Sequence, residues 1–304
     1  MGITRCTFCG LLAAVALSPA PEETTIRADV NLVQLQVTVT DARGHTVSGL
    51  PKQAFQLFVD NSPQPITVFQ GEDAPVTAGI VIDNSSSMTS KVKEVVAAGL
   101  AFARASNPKD QIFVVHFTNR PRLGLPEGQR FTGDVADLEK AVEAFQLGGT
   151  TAFYDALLFA ESHLQWALYS RKILLTITDG GDNSSHATLA DAISAAVKSG
   201  IAVYPIGLFD ENDRDRNPKV LTKIAEETGG QAFFPGQVSD VTNTCVTIAR
   251  EIRSQYTLGF PGAEDGKFHH IRVMVTDANS GPLQVRTRGG YFAVKSPPNA
   301  NRQK

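Results

Sequence analysis

The chain has 304 residues, 42% of them hydrophobic and 19% charged, with a formal net charge of −3. That length holds one large domain or two modest ones. The near-neutral balance, with Lys and Arg scattered singly, excludes the broad basic field on which nucleic-acid binders rely.

Residues 1–20 read as an export signal. Arg5 gives a positive start, Phe8 to Leu17 is apolar, and Ser18-Pro19-Ala20 supplies the small residues of a cleavage site. The apolar run is too short to span a bilayer, and no later stretch approaches spanning length. The mature chain is therefore expected to be secreted or periplasmic, with no transmembrane segment. Cys6 and Cys9 fall inside this leader, which leaves Cys245 as the one thiol of the mature chain and no internal disulfide. Val241, Cys245, Ile248 and Ile252 share one helical face, so Cys245 reads as a core residue.

After a polar leader at 21–28, Val33, Leu35, Val37 and Val39 alternate with Gln34, Gln36, Thr38 and Thr40, the period of a half-buried strand. Asp41-Ala42-Arg43-Gly44 turns the chain. Phe55, Leu57 and Val59 form a second strand, Asp60 to Pro63 a turn, and Ile66 to Phe69 a return. This stretch, residues 30–72, is too small to stand alone comfortably.

From Pro75 strands and helices alternate. The expected order is strand 76–82, helix 88–105, strand 110–117, an edge hairpin within 120–133, helix 134–145, helix 153–169, strand 173–178, helix 188–199, strand 201–207, helix 218–228, strand 231–234 and helix 238–253. Apolar strands separated by helices indicate an α/β fold with a doubly wound, mostly parallel, Rossmann-like sheet over residues 74–254. After Tyr256 the pattern returns to β, with Ile271, Val273 and Val275 alternating and Leu283 to Val285 following a turn. Residues 255–294 are expected to pack with 30–72 as one small β-sandwich-like domain that carries the α/β domain as an insertion. Residues 295–304 are expected to be a disordered tail.

The chemistry concentrates where the first α/β strand ends. Asp83-Asn84-Ser85-Ser86-Ser87 places a carboxylate and two hydroxyls at alternate positions, which on an extended loop point the same way. In a doubly wound sheet, ligands bind beyond the carboxyl ends of the strands. Gly149-Thr150-Thr151 and Thr178-Asp179-Gly180 fall on the same edge. Thr150, with Thr151 as the alternative, adds a third hydroxyl, and Asp179 adds a second carboxylate directly or through water. Two carboxylates neutralise a divalent cation, and hard oxygen donors suit Mg²⁺, with Mn²⁺ or Ca²⁺ as alternatives. Such a set leaves a coordination position open.

Asp83-x-Ser85-x-Ser87, Thr150 and Asp179, in this order, resemble the metal-ion-dependent adhesion site of von Willebrand factor type A domains. The resemblance covers roughly residues 74–254, and the flanking β segments are similar to those of bacterial secreted proteins with a related domain. It implies a protein-binding, adhesion-type function in which the open metal position accepts an Asp or Glu carboxylate of a protein partner. It also implies that helix 238–253, the last of the domain, is the element whose sliding changes affinity in related domains. The fourth loop position, often Gly in bacterial members, is Ser86 here.

Taken singly, each residue has a plainer role. Asp83 or Ser85 caps the following helix, Asp179-Gly180 makes an ordinary turn, His116 packs, and Asp182 and His186 are loop and helix-start residues. Enzyme signatures are missing: no Gly-x-Ser-x-Gly elbow, Gly-x-Gly-x-x-Gly or Gly-Lys-Ser/Thr loop, and no His-Glu-x-x-His helix, occurs in the sequence. The expectation is a non-enzymatic binding module. The alternatives are a metal-stabilised scaffold or a hydrolase using the same loop.

Overall fold

The structure is a computed structural model that describes residues 31–71, 73–209, 216–277 and 281–295. The expected leader at 1–20 and all but the first residue of the expected tail lie outside them. The N-terminal segment supplies β1 (Leu32–Thr40), β2 (Phe55–Val59), β3 (Ser62–Gln64) and β4 (Val68–Gln70). The central segment runs β5 (Thr77–Asp83), α1 (Val92–Ala105), β6 (Gln111–Phe117), β7 (Pro121–Leu123), α2 (Val135–Glu143) and α3 (Phe153–His163). It continues with β8 (Lys172–Thr178), α4 (Leu189–Ser199), β9 (Ile201–Gly207), α5 (Pro218–Thr228) and α6 (Val241–Arg253). The C-terminal segment adds β10 (Tyr256–Pro261), β11 (Phe268–Val275), β12 (Gln284–Arg286) and β13 (Gly290–Phe292).

The central sheet has the order β7-β6-β5-β8-β9, with β5, β6, β8 and β9 parallel and β7 antiparallel at the edge. This is the doubly wound, mostly parallel α/β arrangement expected from the sequence. Every residue of β5 is buried, because helices cover both faces of the sheet. Gly79 is required at its centre. A Cβ there would lie 2.5 Å from the Phe113 ring and 2.6 Å from Leu174, its partners on the two neighbouring strands. The chain runs from β5 outward to β6, then crosses to β8 on the other side. The strand order therefore reverses at β5, and the carboxyl ends of β5 and β8 form the switch-point crevice.

The remaining strands form two four-stranded antiparallel sheets, β12-β1-β10-β4 and β13-β11-β2-β3. Each sheet interleaves strands from both ends of the chain, with β1 against β10 and β2 against β11. Leu35, Val37, Phe55, Leu57, Tyr256, Leu258 and Phe260 fill the space between them. The small β-sandwich built from the N- and C-terminal segments is thus present. It is tied to β9 and α4 of the central segment by buried polar groups. Gln255 donates to Tyr204 OH (2.7 Å) and Thr38 Oγ1 (3.0 Å), and Arg288 donates to the carbonyls of Val197 (2.9 Å) and Gln34 (3.0 Å).

Local departures from the expected elements have physical causes. The helix expected from Met88 begins as a 3-10 turn at Ser86–Lys91, and regular α-helix starts at Val92. Hydroxyls in this run bond the nearby backbone, as Thr89 does to the Ser86 carbonyl (3.0 Å), and so compete with helix. The helix expected through Tyr169 ends at His163. There the Leu164 amide is shared among three carbonyls and a short 3-10 turn, Leu164–Trp166, follows. The strand expected at 231–234 is reduced to one bridge, Ile206 with Phe233, between Gly229-Gly230 and Pro235.

Candidate metal centre

Asp83 is the last residue of β5 and is 2% exposed, and Asp179, directly after β8, is 1% exposed. Oδ1 of Asp83 accepts from the Ser85 amide (2.9 Å), and Oδ2 accepts from the Thr178 hydroxyl (2.7 Å). Oδ1 of Asp179 accepts from the Gly181 amide (3.0 Å), and Oδ2 accepts from the Ser87 hydroxyl (2.5 Å). The hydroxyls of Ser85 and Ser87 are 3.1 Å apart. The strand-to-loop geometry that exposes Asp179 to this network uses Gly180 at φ +80°, where a side chain would also press on the Asn217 carbonyl and Leu221.

The structure thus brings Asp83, Ser85, Ser87 and Asp179 into one hydrogen-bonded cluster. Thr150 is exposed and has no hydrogen bond to the other four, although its loop is pinned beside them. The Gly148 amide donates to the Asn84 carbonyl (2.9 Å), and the Ser86 hydroxyl donates to the Gly149 carbonyl (3.2 Å). Thr151, the alternative, is buried and fixed elsewhere: its amide donates to the Asn183 side chain (2.9 Å), and its carbonyl accepts from the Asn183 and Ser184 amides.

Capping does not account for the loop hydroxyls. Ser85 holds the N-cap position of the 3-10 turn yet makes no side-chain capping bond. Asp182 does serve local structure, accepting from the Tyr154 amide (3.0 Å) at the start of α3 and from Ser185. His186 is exposed and meets Asp155 (3.1 Å) away from the cluster. Cys245 is buried and free, with its thiol pushed up to about 12 by burial, as befits a core residue.

Two residues matter that the pattern alone did not single out. Thr178 bridges the two strand ends, donating to Asp83 while its oxygen accepts from the Gly180 amide (3.0 Å). His116 sits at the end of β6 with its Nε2 2.7 Å from the Ala141 carbonyl, so that nitrogen carries the proton. Its Nδ1 therefore accepts from the Asn84 side-chain amide (2.9 Å), which braces the loop between Asp83 and Ser85. Burial holds this imidazole neutral, with its pKa lowered to about 4. The Thr-Asp-Gly run was the only sequence signal for Thr178, and a histidine ending a buried strand the only one for His116.

The electrostatics favour a cation. Burial pushes the Asp83 carboxyl up to about 6, and the charge of Asp179 adds to the rise, while the bonds from Ser85 and Thr178 oppose it. The hydrogen bonds that both carboxylates accept come from neutral amides and hydroxyls. Two desolvated carboxylates, with serine hydroxyls beside them, form the hard-oxygen donor set of Mg²⁺ or Ca²⁺. Among the described residues, no group of three or more His, Cys, Asp and Glu side chains offers a competing centre.

The comparisons with known proteins bear on the fold. The family model of the von Willebrand factor type A domain matches residues 79–247. Among solved structures, a von Willebrand factor type A protein from Catenulispora acidiphila is similar with a TM-score of 0.54 and 18% identity, covering 79% of this chain and 76% of that one. Proximal thread matrix protein 1 from the mussel byssus is similar with a TM-score of 0.50 and 16% identity, covering 69% of this chain and 51% of that one. The type V pili tip protein Mfa5 from Porphyromonas gingivalis has a TM-score of 0.48 over its vWF domain, at 15% identity, covering 59% of this chain and 95% of that one. At these identities the likeness shows the fold alone. No curated protein sequence matches. With more than half of its 304 residues matched by the family model and with the fold in agreement, the chain belongs to the von Willebrand factor type A domain family.

Proposed function

We propose that this protein is a secreted, adhesion-type binding module that captures an Asp or Glu carboxylate of a protein partner through a divalent cation. Asp83, Ser85, Ser87, Thr150 and Asp179 hold the cation, which is Mg²⁺ with Mn²⁺ or Ca²⁺ as alternatives. The observation that carries this reading is the convergence of two buried carboxylates, Asp83 and Asp179, on one pair of serine hydroxyls at the switch point of the sheet. Leaving Asp83 ionised without a cation is costly, because burial and the charge of Asp179 act together. When bound, the cation supplies a Lewis-acidic position for an incoming carboxylate oxygen.

The chain's own residues do the rest. Thr178 holds Asp83 in register with the Asp179 turn, and the His116–Asn84 pair braces the loop that presents Ser85. The loop bearing Thr150 is bonded to the Asn84–Ser86 loop through Gly148 and Gly149, which supports including Thr150 in the donor set. Export rests on the leader read in residues 1–20. Among the described residues no helix is long and apolar enough to cross a membrane. A hydrolase using the same loop is less well supported. A serine nucleophile needs an oriented base, and the nearby imidazole of His116 is committed to Asn84 and Ala141.

The test is capture of native partners from the source organism's extracellular fraction by the full chain, in Mg²⁺ and in chelator, with Asp83→Ala as control. Mg²⁺-dependent capture lost in the variant is the expected result. Metal binding without any metal-dependent capture points instead to a scaffold, and serine-dependent turnover of ester or amide substrates points to an enzyme.

A further inference from the structure

Beside the metal centre lies a second polar feature with an opposite charge preference. The chain leaving β6 turns at Thr118–Arg120 directly against both site loops. The Asn84 amide donates to the Phe117 carbonyl (2.8 Å), and the Ala152 amide donates to the Thr118 carbonyl (2.7 Å). A cleft of about 160 Å³ opens here, lined among others by Asn84, Thr118, Asn119, Arg120, Arg122 and Gln146. Its volume suits one short side chain with a few waters, each water occupying about 30 Å³.

The lining has two guanidinium groups and no carboxylate. Several of its polar groups are already engaged. Asn84 and His116 satisfy each other, and Arg122 donates to the Ala144 carbonyl. Arg120 is exposed and enters no ion pair among the described residues. A guanidinium at the rim of a small polar cleft, with no acidic neighbour in the lining, matches the fork geometry of a carboxylate. Asn84 belongs both to this cleft and to the loop between Asp83 and Ser85, so the two features are contiguous.

We propose that the partner is recognised through two acidic groups, the first at the metal centre and the second held by Arg120 in this cleft. The inference rests on the proposed function above and adds the partner's chemistry: an acidic segment carrying a pair of neighbouring carboxylates. A single carboxylate engages only the metal centre. A paired one gains a charge-assisted contact, and Arg120 thereby becomes a specificity-determining residue.

The experiment uses the full chain with Mg²⁺ and two kinds of probe, acetate and the linear dicarboxylates from succinate to pimelate. Affinity is read by competition and by the NMR signal of the Arg120 Nε–H group. At least one dicarboxylate is expected to bind about tenfold more tightly than acetate, the gain of one charge-assisted contact. Arg120→Ala is expected to bring that dicarboxylate down to the level of acetate. The Arg120 signal shifts with the dicarboxylate and stays in place with acetate. If acetate binds in Mg²⁺ but no dicarboxylate exceeds it, or if the gain survives Arg120→Ala, the acidic subsite is refuted while the metal centre stands. If neither kind of probe binds in Mg²⁺, the metal-centre reading fails and this inference fails with it.

Discussion

Replacing Asp83 by Asn separates the electrostatic cost of the proposed metal centre from its shape. The carboxyl of Asp83 is raised from 3.8 to about 6, principally by burial. The sign follows from linkage. A carboxyl raised in the folded state favours folding fully below its unfolded value, and that contribution is lost as pH rises through the folded value. For Asp83 the loss falls between pH 3.8 and about 6. A shift of this size corresponds to about 3 kcal/mol against the metal-free ionised fold above that window. Asn keeps the shape, and its amide oxygen still accepts from the Ser85 amide that now meets Oδ1. In chelator at about pH 8, Asp83→Asn is therefore expected to be more stable than the parent, by up to about 3 kcal/mol. Urea unfolding of both proteins at pH values on either side of this window measures the difference. Mg²⁺ is expected to stabilise the parent, by about 2.7 kcal/mol at a hundredfold excess over its dissociation constant, and to leave the variant unmoved. A variant that is less stable than the parent in chelator at the higher pH would refute the idea that Asp83 carries a desolvated charge.

Three further outcomes follow from other parts of the fold. Glu161 in α3 is 7% exposed, both its carboxylate oxygens lack a hydrogen-bond partner among the described residues, and burial raises its carboxyl from 4.5 to about 8. Its contribution is present below pH 4.5 and is lost as pH rises through about 8. Glu161→Gln is accordingly expected to stabilise the fold by several kcal/mol, about 5 at most, above that range; equal unfolding midpoints at high pH contradict this. Gly180→Ala is expected to cost about 1–3 kcal/mol through its positive φ, and to weaken metal binding by displacing Asp179; unchanged affinity for Mg²⁺ in calorimetry counts against the role given to that turn. Gln255→Ala strips partners from Tyr204 and Thr38, where the β-sandwich meets the central sheet. Tyr204 keeps its bond to Glu251 and Thr38 its bond from Arg286, so the expected cost in urea unfolding is that of the lost bonds alone, about 1 kcal/mol, and no measurable change speaks against that junction.

Much of the candidate cluster is legible in the sequence because its signals are local. An apolar run that stops at a carboxylate marks the end of a buried strand, and alternate hydroxyls on the following loop need no tertiary information to converge. The same holds for Asp179 after the run Ile173 to Thr178. Thr178 itself was not legible as a site residue. A threonine in a strand is ordinary, and its bond to Asp83 joins residues 95 positions apart. The position of Thr150 depends on how a loop with two consecutive positive-φ glycines, Gly148 and Gly149, settles against Asn84, which local pattern does not encode. In the fold, strand and helix order followed from periodicity, whereas the interleaving of β1 with β10 and of β2 with β11 joins residues some two hundred positions apart. Helix starts were misread where hydroxyls bond nearby backbone, as at Ser86 to Lys91.

The central claim is that Asp83 and Asp179 share a divalent cation with the hydroxyls between them. Titrating Mg²⁺ into the chelator-stripped full chain by isothermal calorimetry, with Asp83→Ala in parallel, tests it most directly. Saturable binding at a single site in the parent and none in the variant is the expected result. Absence of binding at millimolar Mg²⁺, Mn²⁺ and Ca²⁺, or equal binding by the two proteins, would contradict it.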